Sequence, residues 1–428
     1  MKKNRIDWYK LDNAGKIYPS IAGTRVSTVF RISVTLKSKI DSGVLQQAFE
    51  NIIERFPYFK VNLKRGIFWY YYEYSNTMPK VEEENFYPCM FLKYKSRDIF
   101  PFRILYFNKR ISGEFSHSIT DGTGASIFVT SLVNEYLRIK ERIIIIPNEE
   151  FDLNSKINSE EWKDSFRRYY KKGIPQPESP QKAVQLPLKM VVKGEYLILS
   201  GMVSVTEIKN AAAKYSCSVT QYLLALYFET IQDFIKSMPE KKRGKYMGRI
   251  VINTPVNLRK IYPSKSMRNF FISLIPEIDL RLGDYTREEI IEYLKNYMKM
   301  NITEKNISRF ISRNISNEKI IFLRLIPLFI KNLVLNQVYK KFGESGYTSS
   351  ISNIGELKFC EEVAEFIEYV EFYPPPSRGN IIKAGVISFK DKMCISFGKL
   401  TRDTEIEKIF FRKLRKDGVR IKIHTNME

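Results

Sequence analysis

The chain has 428 residues, of which 44% are apolar and 14% are aromatic. This composition excludes wholesale disorder, and the length suits two lobes of roughly 200 residues each. The formal net charge is +23, which would attract an anionic partner such as a phosphorylated cofactor or a membrane surface. Because the basic residues are spread along the chain without one solid block, we expect a diffuse basic surface and no specific nucleic-acid site.

The cysteines and histidines argue against a metal centre. Four cysteines form no C-x-x-C pair, and with two histidines in the chain no zinc-ligand set can be assembled. The cysteines are typical of small buried hydrophobic side chains in a reducing compartment. The N-terminal residues lack the apolar run of a signal peptide, so we expect a cytoplasmic protein.

The first half of the chain mixes strands with helices. Residues 26–37 alternate apolar and polar side chains, which predicts a half-buried strand. Apolar residues at 44–56 recur at helical spacing until Pro57 ends the pattern. Further strands are predicted at residues 68–74, 102–107 and 111–117. A turn at 120–124 then opens a predicted helix at residues 125–137.

The second half repeats the mixed pattern after a polar, proline-containing stretch. Thr286 with Glu289, and Thr404 with Glu407, match the capping box that begins helices. Further helices are predicted at residues 206–215 and 219–234. Further strands are predicted at residues 249–258, 367–373, 384–389, 393–397 and 419–423. The absence of a regular βαβ rhythm predicts an α+β fold, with an N-terminal lobe at 1–150, a linker at 151–185 and a C-terminal lobe at 186–428.

The most apolar stretch, residues 320–335, is too short to span a bilayer and contains Arg324, Pro327 and Lys331. Two interpretations remain open for it. It is either a buried helix between the lobes or a helix that makes weak peripheral contact with anionic lipid.

Acid–base chemistry by a histidine is restricted to two positions. His424 lies near the end of the chain, after the last predicted strand, and is expected to be exposed to solvent. His117 ends a predicted strand, where a side chain reaches the rim of a sheet, and Asp121 and Gly122 follow it in a turn. An imidazole takes a proton from an alcohol or thiol near neutral pH, so His117 is the candidate general base; the alternative is that it only caps a strand.

Other catalytic motifs are missing from the sequence. No G-x-S-x-G elbow is present, which weakens a serine-hydrolase interpretation. The sequence also lacks a P-loop and a strand-borne G-x-G-x-x-G, so nucleotide hydrolysis and hydride transfer have no support.

The segment His117-Ser118-Ile119-Thr120-Asp121-Gly122 resembles the H-x-x-x-D-G signature of the chloramphenicol acetyltransferase-like superfamily. Short supporting matches occur in the expected order over nearly the whole chain, at residues 55–57, 101–103, 255–259, 268–270 and 352–355. Residues 8–13 look like bacterial alcohol acetyltransferase-like proteins. The D-F-G-W-G motif of the plant enzymes is absent, and the doubled histidine of condensation domains is missing because Ser116 precedes His117.

The resemblance implies two chloramphenicol-acetyltransferase-like lobes with mixed sheets, arranged as a V around a central tunnel. The implied activity is that of an acyl-CoA-dependent O-acyltransferase. The enzyme would be a monomer without a permanently bound cofactor, and its co-substrate would be acyl-CoA or an acyl-phosphopantetheine carrier. His117 would deprotonate a small-molecule alcohol or amine, and Gly122 would let the backbone approach the reacting centre and offer its N–H to the oxyanion.

The resemblance also implies supporting roles. Asp121 would hold the histidine loop through an arginine, with Arg259 as the first candidate and Arg103 as the second. Asn257 and Asn353 lie in the matching segments and would give structural support.

Two alternatives to an acyl-CoA-dependent enzyme remain open. The acyl group could come from an acyl carrier protein of lipid or natural-product synthesis. The chain could also be a catalytically silent family member that acts as a binding protein.

Overall fold

The computed structural model describes residues 7–24, 26–93, 99–147, 151–178, 181–319 and 325–427. Within them, helices and strands are intermixed and the sheets contain parallel and antiparallel pairs, which confirms the predicted α+β class. The strands are β1 (Trp8–Lys10), β2 (Val29–Leu36), β3 (Val61–Arg65), β4 (Tyr70–Tyr74), β5 (Val81–Glu83), β6 (Phe102–Phe107), β7 (Arg110–Ser116), β8 (Leu197–Ser204), β9 (Arg249–Asn257), β10 (Phe271–Leu274), β11 (Glu277–Asp279), β12 (Ser349–Glu356), β13 (Ile367–Tyr373), β14 (Ile382–Phe389), β15 (Lys392–Lys399) and β16 (Lys422–Thr425). The helices are α1 (Tyr18–Ile21), α2 (Ser42–Arg55), α3 (Gly122–Lys140), α4 (Ser165–Arg168), α5 (Val205–Ala213), α6 (Val219–Lys236), α7 (Glu240–Arg243), α8 (Arg287–Asn301), α9 (Glu304–Lys319), α10 (Leu328–Val338) and α11 (Glu405–Lys416).

Each lobe is built around one sheet. In the described residues, the N-terminal lobe has five strands in the order β13-β2-β7-β6-β5, and the strands β1-β4-β3 form a small sheet of their own. The C-terminal lobe has the order β10-β9-β12-β14-β15-β8-β16, with β11 beside β9. Strand β13 comes from the C-terminal half but pairs with β2, with Val370 opposite Val34. The sheet of the N-terminal lobe therefore includes a strand from the segment 186–428, which was predicted to form the C-terminal lobe.

Side chains of amphipathic helices cover these sheets. Helix α2 begins after Asp41, whose side chain accepts from Val44 N, and its apolar side packs on α3. In the C-terminal lobe, Ser218 and Gln221 form a capping box at the start of α6, and α6 packs against α8 and α11. The capping box predicted at Thr286 is confirmed at the start of α8.

The predicted half-exposure of the first long strand is wrong, because all eight residues of β2 are buried. The polar side chains have buried partners on neighbouring strands: Arg31 Nε donates to Glu114 Oε1 at 2.8 Å, and the hydroxyls of Ser33 and Ser112 lie 2.9 Å apart. A buried polar group is tolerated when it is hydrogen-bonded. Alternation alone therefore did not show which face of the strand meets solvent.

Two predictions near the C-terminus are also wrong. Thr404 makes no capping hydrogen bond through its side chain, and the carboxylate of Glu407 does not complete a capping box because it is buried in an ion pair with Lys399. His424 lies inside β16 opposite Ser200, is partly buried, and its ring centroid is 5.9 Å from that of Tyr369. The last strand begins later than predicted because Val419 packs into the core instead.

Helix α10 presents an apolar face to solvent, so the buried inter-lobe helix considered for this stretch is not observed among the described residues. Residues 320–324 of the stretch lie outside the description. Six large apolar side chains on or beside α10 are between 40% and 69% exposed: Leu325, Phe329, Ile330, Leu333, Val334 and Val338. Lys331 points inward, where its Nζ donates to the carbonyl of Phe68.

Candidate active site

The backbone at the end of β7 places His117 between the two lobes. Strand β7 stops at Ser116, and the His117 N–H donates to the carbonyl of Thr28 at 2.9 Å. The chain then turns, and Asp121 begins α3 as its N-cap, with its carboxylate accepting from the N–H groups of Thr123 and Gly124 at 3.1 Å. The strand end and the capped helix together hold the histidine loop.

Aromatic rings enclose the imidazole of His117. The ring stacks on Tyr18 with centroids 5.1 Å apart, and Phe30 and Phe271 lie at 4.6 and 6.0 Å. The Nδ1 atom faces Asn269 Oδ1 at 3.5 Å, while Asn269 Nδ2 donates to the His117 carbonyl at 2.8 Å. Because the amide oxygen only accepts, the tautomer with the proton on Nδ1 satisfies Asn269 and leaves Nε2 as the basic atom.

The environment of His117 favours a neutral ring. Burial lowers the pKa of His117 to about 4, although the hydrogen bond that the ring donates to Asn269 and the charge of Asp121 act in the opposite direction. The charge of Lys383 lowers the pKa further. At neutral pH the imidazole is therefore in the form that can accept a proton.

Asn269 is itself fixed by a buried acid. Its Nδ2 donates to Asp12 Oδ2 at 3.0 Å, and Asp12 also pairs with Arg268, with Nε and Oδ2 at 3.3 Å. The guanidinium of Arg268 lies between the rings of Tyr9 and Tyr72. Sequence analysis did not assign a role to Asp12 or Asn269, because the acid and the amide are 257 residues apart along the chain.

The ion pair expected for Asp121 is present and involves Arg259. The Nη1 of Arg259 lies 2.8 Å from Asp121 Oδ2, and Nη2 lies 3.2 Å from Oδ1. The Phe270 N–H donates to the same carboxylate at 2.9 Å. Arg103, the second candidate, pairs with Glu114 instead. The pair thus connects the histidine loop to the C-terminal lobe.

The two asparagines predicted to support the site lie close to it. Asn257 Nδ2 donates to Thr123 Oγ1 at 3.0 Å, and its Oδ1 accepts from the Arg259 N–H at 3.0 Å. Asn353 Nδ2 donates to Thr220 Oγ1 at 3.1 Å, and its Oδ1 accepts from Gly355 N. Both side chains also line the cavity that contains His117.

The glycines after His117 allow close packing. A Cβ at Gly122 would lie 2.7 Å from Ile354 Cδ1, the end of a flexible side chain. A Cβ at Gly124 would collide with the carbonyl oxygen of Met267 and with Thr120 Oγ1. Gly124 is therefore the position that cannot accommodate a side chain, and the sequence analysis did not single it out.

His117 faces a cavity of about 360 Å³ between the lobes. A second cavity of about 520 Å³ lies beside it, with mainly apolar walls that include Trp69, Phe310 and Leu335. The two cavities share the lining residues Ile17, Tyr18, Phe271, Ser273 and Tyr347. Together they provide a space on each side of Tyr18 and Phe271.

Searches for metal sites and membrane spans among the described residues find none. No cluster of three or more histidine, cysteine, aspartate or glutamate side chains has the arrangement of a metal site there. No helix in that part of the chain combines the length and apolar character needed to cross a bilayer.

Comparisons of sequence find no matching protein-family model and no matching curated protein. Solved structures, in contrast, match over nearly the whole chain. TRI101 of F. graminearum, complexed with coenzyme A and T-2 mycotoxin, has a TM-score of 0.64 at 11% identity, covering 97% of this chain and 99% of its own. Polyketide synthase associated protein 5 from Mycobacterium tuberculosis has a TM-score of 0.56 at 12% identity, covering 95% of this chain and 97% of its own.

A condensation domain gives a similar match. The starter condensation domain of rhizomide synthetase, in complex with C8-CoA, has a TM-score of 0.59 at 10% identity, covering 96% of this chain and 94% of its own. At such identities the likeness concerns the fold. The chain therefore shares the two-lobed fold of these proteins.

Proposed function

We propose that the chain is an acyltransferase that moves an acyl group from acyl-CoA to an alcohol or amine, with His117 as the general base. The observation that carries this proposal is the imidazole of His117, which is oriented by Asn269 and faces a cavity between the lobes. The likeness to TRI101, complexed with coenzyme A, and to the trichothecene 15-O-acetyltransferase TRI3 supports it.

The reaction follows from the orientation of the ring. Nε2 of His117 accepts the proton of the acceptor hydroxyl or amine as the acceptor attacks the thioester carbonyl. The resulting imidazolium returns that proton to the departing thiolate of coenzyme A, so the base is regenerated in each cycle. The N–H of Gly122 would stabilise the oxyanion, while Asp121 and Arg259 keep the histidine loop in place.

The two adjacent cavities suggest how the substrates divide the space. The cavity at His117 would hold the reacting groups, and the more apolar cavity behind Tyr18 and Phe271 would hold an acyl chain or an apolar acceptor. An acyl carrier protein would present the same phosphopantetheine thioester as coenzyme A. Because a condensation domain of a synthetase has this fold, an acyl carrier protein is the second candidate donor.

The exposed apolar face of α10 favours an acceptor that comes from a lipid surface. Val334 and Leu335 of this helix line the apolar cavity, so the cavity opens beneath the exposed face. With a net charge of +23, the protein would be attracted to anionic lipid while these side chains enter the interface.

The test is release of free coenzyme A from acetyl-CoA and longer acyl-CoAs with a panel of alcohols and amines. His117→Ala should lower the acceptor-dependent rate by at least about a hundredfold, the usual scale of general-base catalysis. His424→Ala is the matched control, because it removes the other histidine from a site far along the chain, and it should leave the rate unchanged.

Three other outcomes separate the alternatives. Acceptor-dependent release that His117→Ala does not change would refute the general-base mechanism. Release only from acyl carrier proteins would assign the donor to the carrier. No release from either donor would favour a binding protein.

A further inference from the structure

Lys383 reaches the reaction cavity from the floor of the C-terminal lobe. It lies on β14 between Ile382 and Ala384, which both face the hydrophobic core, so its side chain points to the opposite face of the sheet. There it lines the same cavity as His117 and contributes to the electrostatic field at that ring.

The ammonium of Lys383 differs from those of the buried lysines in the partners that the protein gives it. Among the described residues, no atom accepts a hydrogen bond from it, and Glu344 is the carboxylate that acts on it through charge. Glu344 Oε1 is already engaged by Ser377 Oγ at 3.2 Å and Gly379 N at 3.0 Å. Lys399, in contrast, is buried in an ion pair with Glu407.

Burial without a partner opposes the charged form, and it lowers the pKa of Lys383 to about 8. The group therefore remains mostly protonated at neutral pH. Lys383 is half-buried and lines the cavity, so an anionic ligand that enters the cavity would meet an ammonium group beside the base.

Two polar side chains extend the site across neighbouring strands. Ile351 of β12 lies opposite Ala384, which brings Ser350 beside Lys383, and Ser350 in turn pairs with Asn253 of β9. All three side chains line the cavity. A carboxylate only accepts hydrogen bonds, so Asn253 would contribute its Nδ2 donor and Ser350 its hydroxyl.

The negative charges near this row are already occupied. Asp121 lines the cavity, but it is held by Arg259 and by three backbone N–H groups. A ligand that brings its own carboxylate would therefore meet a cation, a hydroxyl donor and an amide within the floor of the cavity.

We propose that Lys383, with Ser350 and Asn253, binds a carboxylate on the molecule that is acylated or transferred at His117. The inference rests on the proposed acyltransferase function for its chemical context. The carboxylate belongs either to the acceptor, as in a hydroxy acid, or to the acyl group, as in a dicarboxylic acyl-CoA. A volume of about 360 Å³ suits a small acid beside the thioester.

The first test measures binding without chemistry, so that its result does not depend on the transfer reaction. Full-length protein is titrated calorimetrically with 3-hydroxybutyrate and succinate, and with their neutral methyl esters. We expect Lys383→Met to weaken binding of at least one acid by tenfold or more and to leave the esters unchanged. Lys383→Arg should restore most of the binding, and His117→Ala should retain it.

A matched control and a stability measurement exclude a merely structural lysine. Lys422→Met removes the same charge from an exposed position on β16 of the same sheet and should change no affinity. Without ligand, Lys383→Met should not lower the melting temperature, because the ammonium of Lys383 has no hydrogen-bond acceptor among the described residues; a lysine needed for the fold would lower it.

Coenzyme A release then identifies which substrate carries the carboxylate. One arm pairs acetyl-CoA with 3-hydroxybutyrate, and the other pairs succinyl-CoA with a neutral alcohol; a Lys383-dependent KM in one arm assigns the carboxylate to that substrate. The proposal is overturned if neither acid binds the native protein, or if Lys383→Met weakens acids and esters equally. Loss of turnover in His117→Ala with acid binding intact would separate this inference from the general-base mechanism.

Discussion

The ion pair between Asp121 and Arg259 offers a quantitative test of how the histidine loop is held. The two side chains are 6% and 11% exposed, and their closest atoms lie 2.8 Å apart. Asp121 also accepts from three backbone N–H groups, and Arg259 also donates to the carbonyls of Ser266 and Arg268. Removal of one charge leaves the other almost buried, which costs about 3–5 kcal/mol.

We therefore expect Asp121→Asn to lower the free energy of unfolding by about 3 kcal/mol or more. Arg259→Met should have a smaller effect, because the carboxylate of Asp121 keeps its backbone donors. The double variant should be less destabilised than the sum of the two, with a coupling energy of about 2 kcal/mol, inside the range measured for contacting residues.

The assay is urea denaturation of the native protein, both single variants and the double variant at one pH, followed by coenzyme A release from the folded proteins. Glu405→Gln is the control, because it breaks an exposed pair with Lys408 and should change the stability by no more than about 0.5 kcal/mol. If the effects of the two site variants add to within about 0.5 kcal/mol, the pair does not couple the lobes and the reasoning is refuted.

Two further predictions concern the base and the lipid surface. With a pKa of about 4, His117 is ~97% neutral at pH 5.5, against ~9% for an ordinary histidine, so kcat/KM should stay nearly constant from pH 7.5 to 5.5; a decline centred near pH 6.5 would contradict this. Flotation with anionic liposomes should retain the native protein at low salt, and the Phe329→Ser, Leu333→Ser double variant should be retained less. Equal retention of both proteins would remove α10 from the lipid contact.

Local patterns predicted much of the fold because helices and strands carry their periodicity in neighbouring residues. The capping box at Thr286 needed only a residue three positions away, and α8 begins there as expected. The similar pattern at Thr404 does not form a capping box, because the side chain of Glu407 pairs with Lys399 on strand β15. The outcome at Thr404 depended on tertiary contacts that a local pattern does not contain.

The candidate base followed from the sequence because the alternatives were few. With two histidines in the chain, the signature at His117 left one strong candidate, and the arginine for Asp121 could be named from the short segment that contains Arg259. The structure confirms that pair, while the catalytic roles remain predictions.

The groups around the base became visible only in three dimensions. Asn269 reaches His117 from 152 residues away, and Asp12 reaches Asn269 from 257 residues away. Lys383, Ser350 and Asn253 come together because three strands pair in a particular register. The sequence by itself determined the local elements and the reactive side chain, because these depend on nearby residues. The register of the sheets and the packing of the lobes decided the orientation of that side chain and the charge of its cavity, because these depend on residues far apart in the chain.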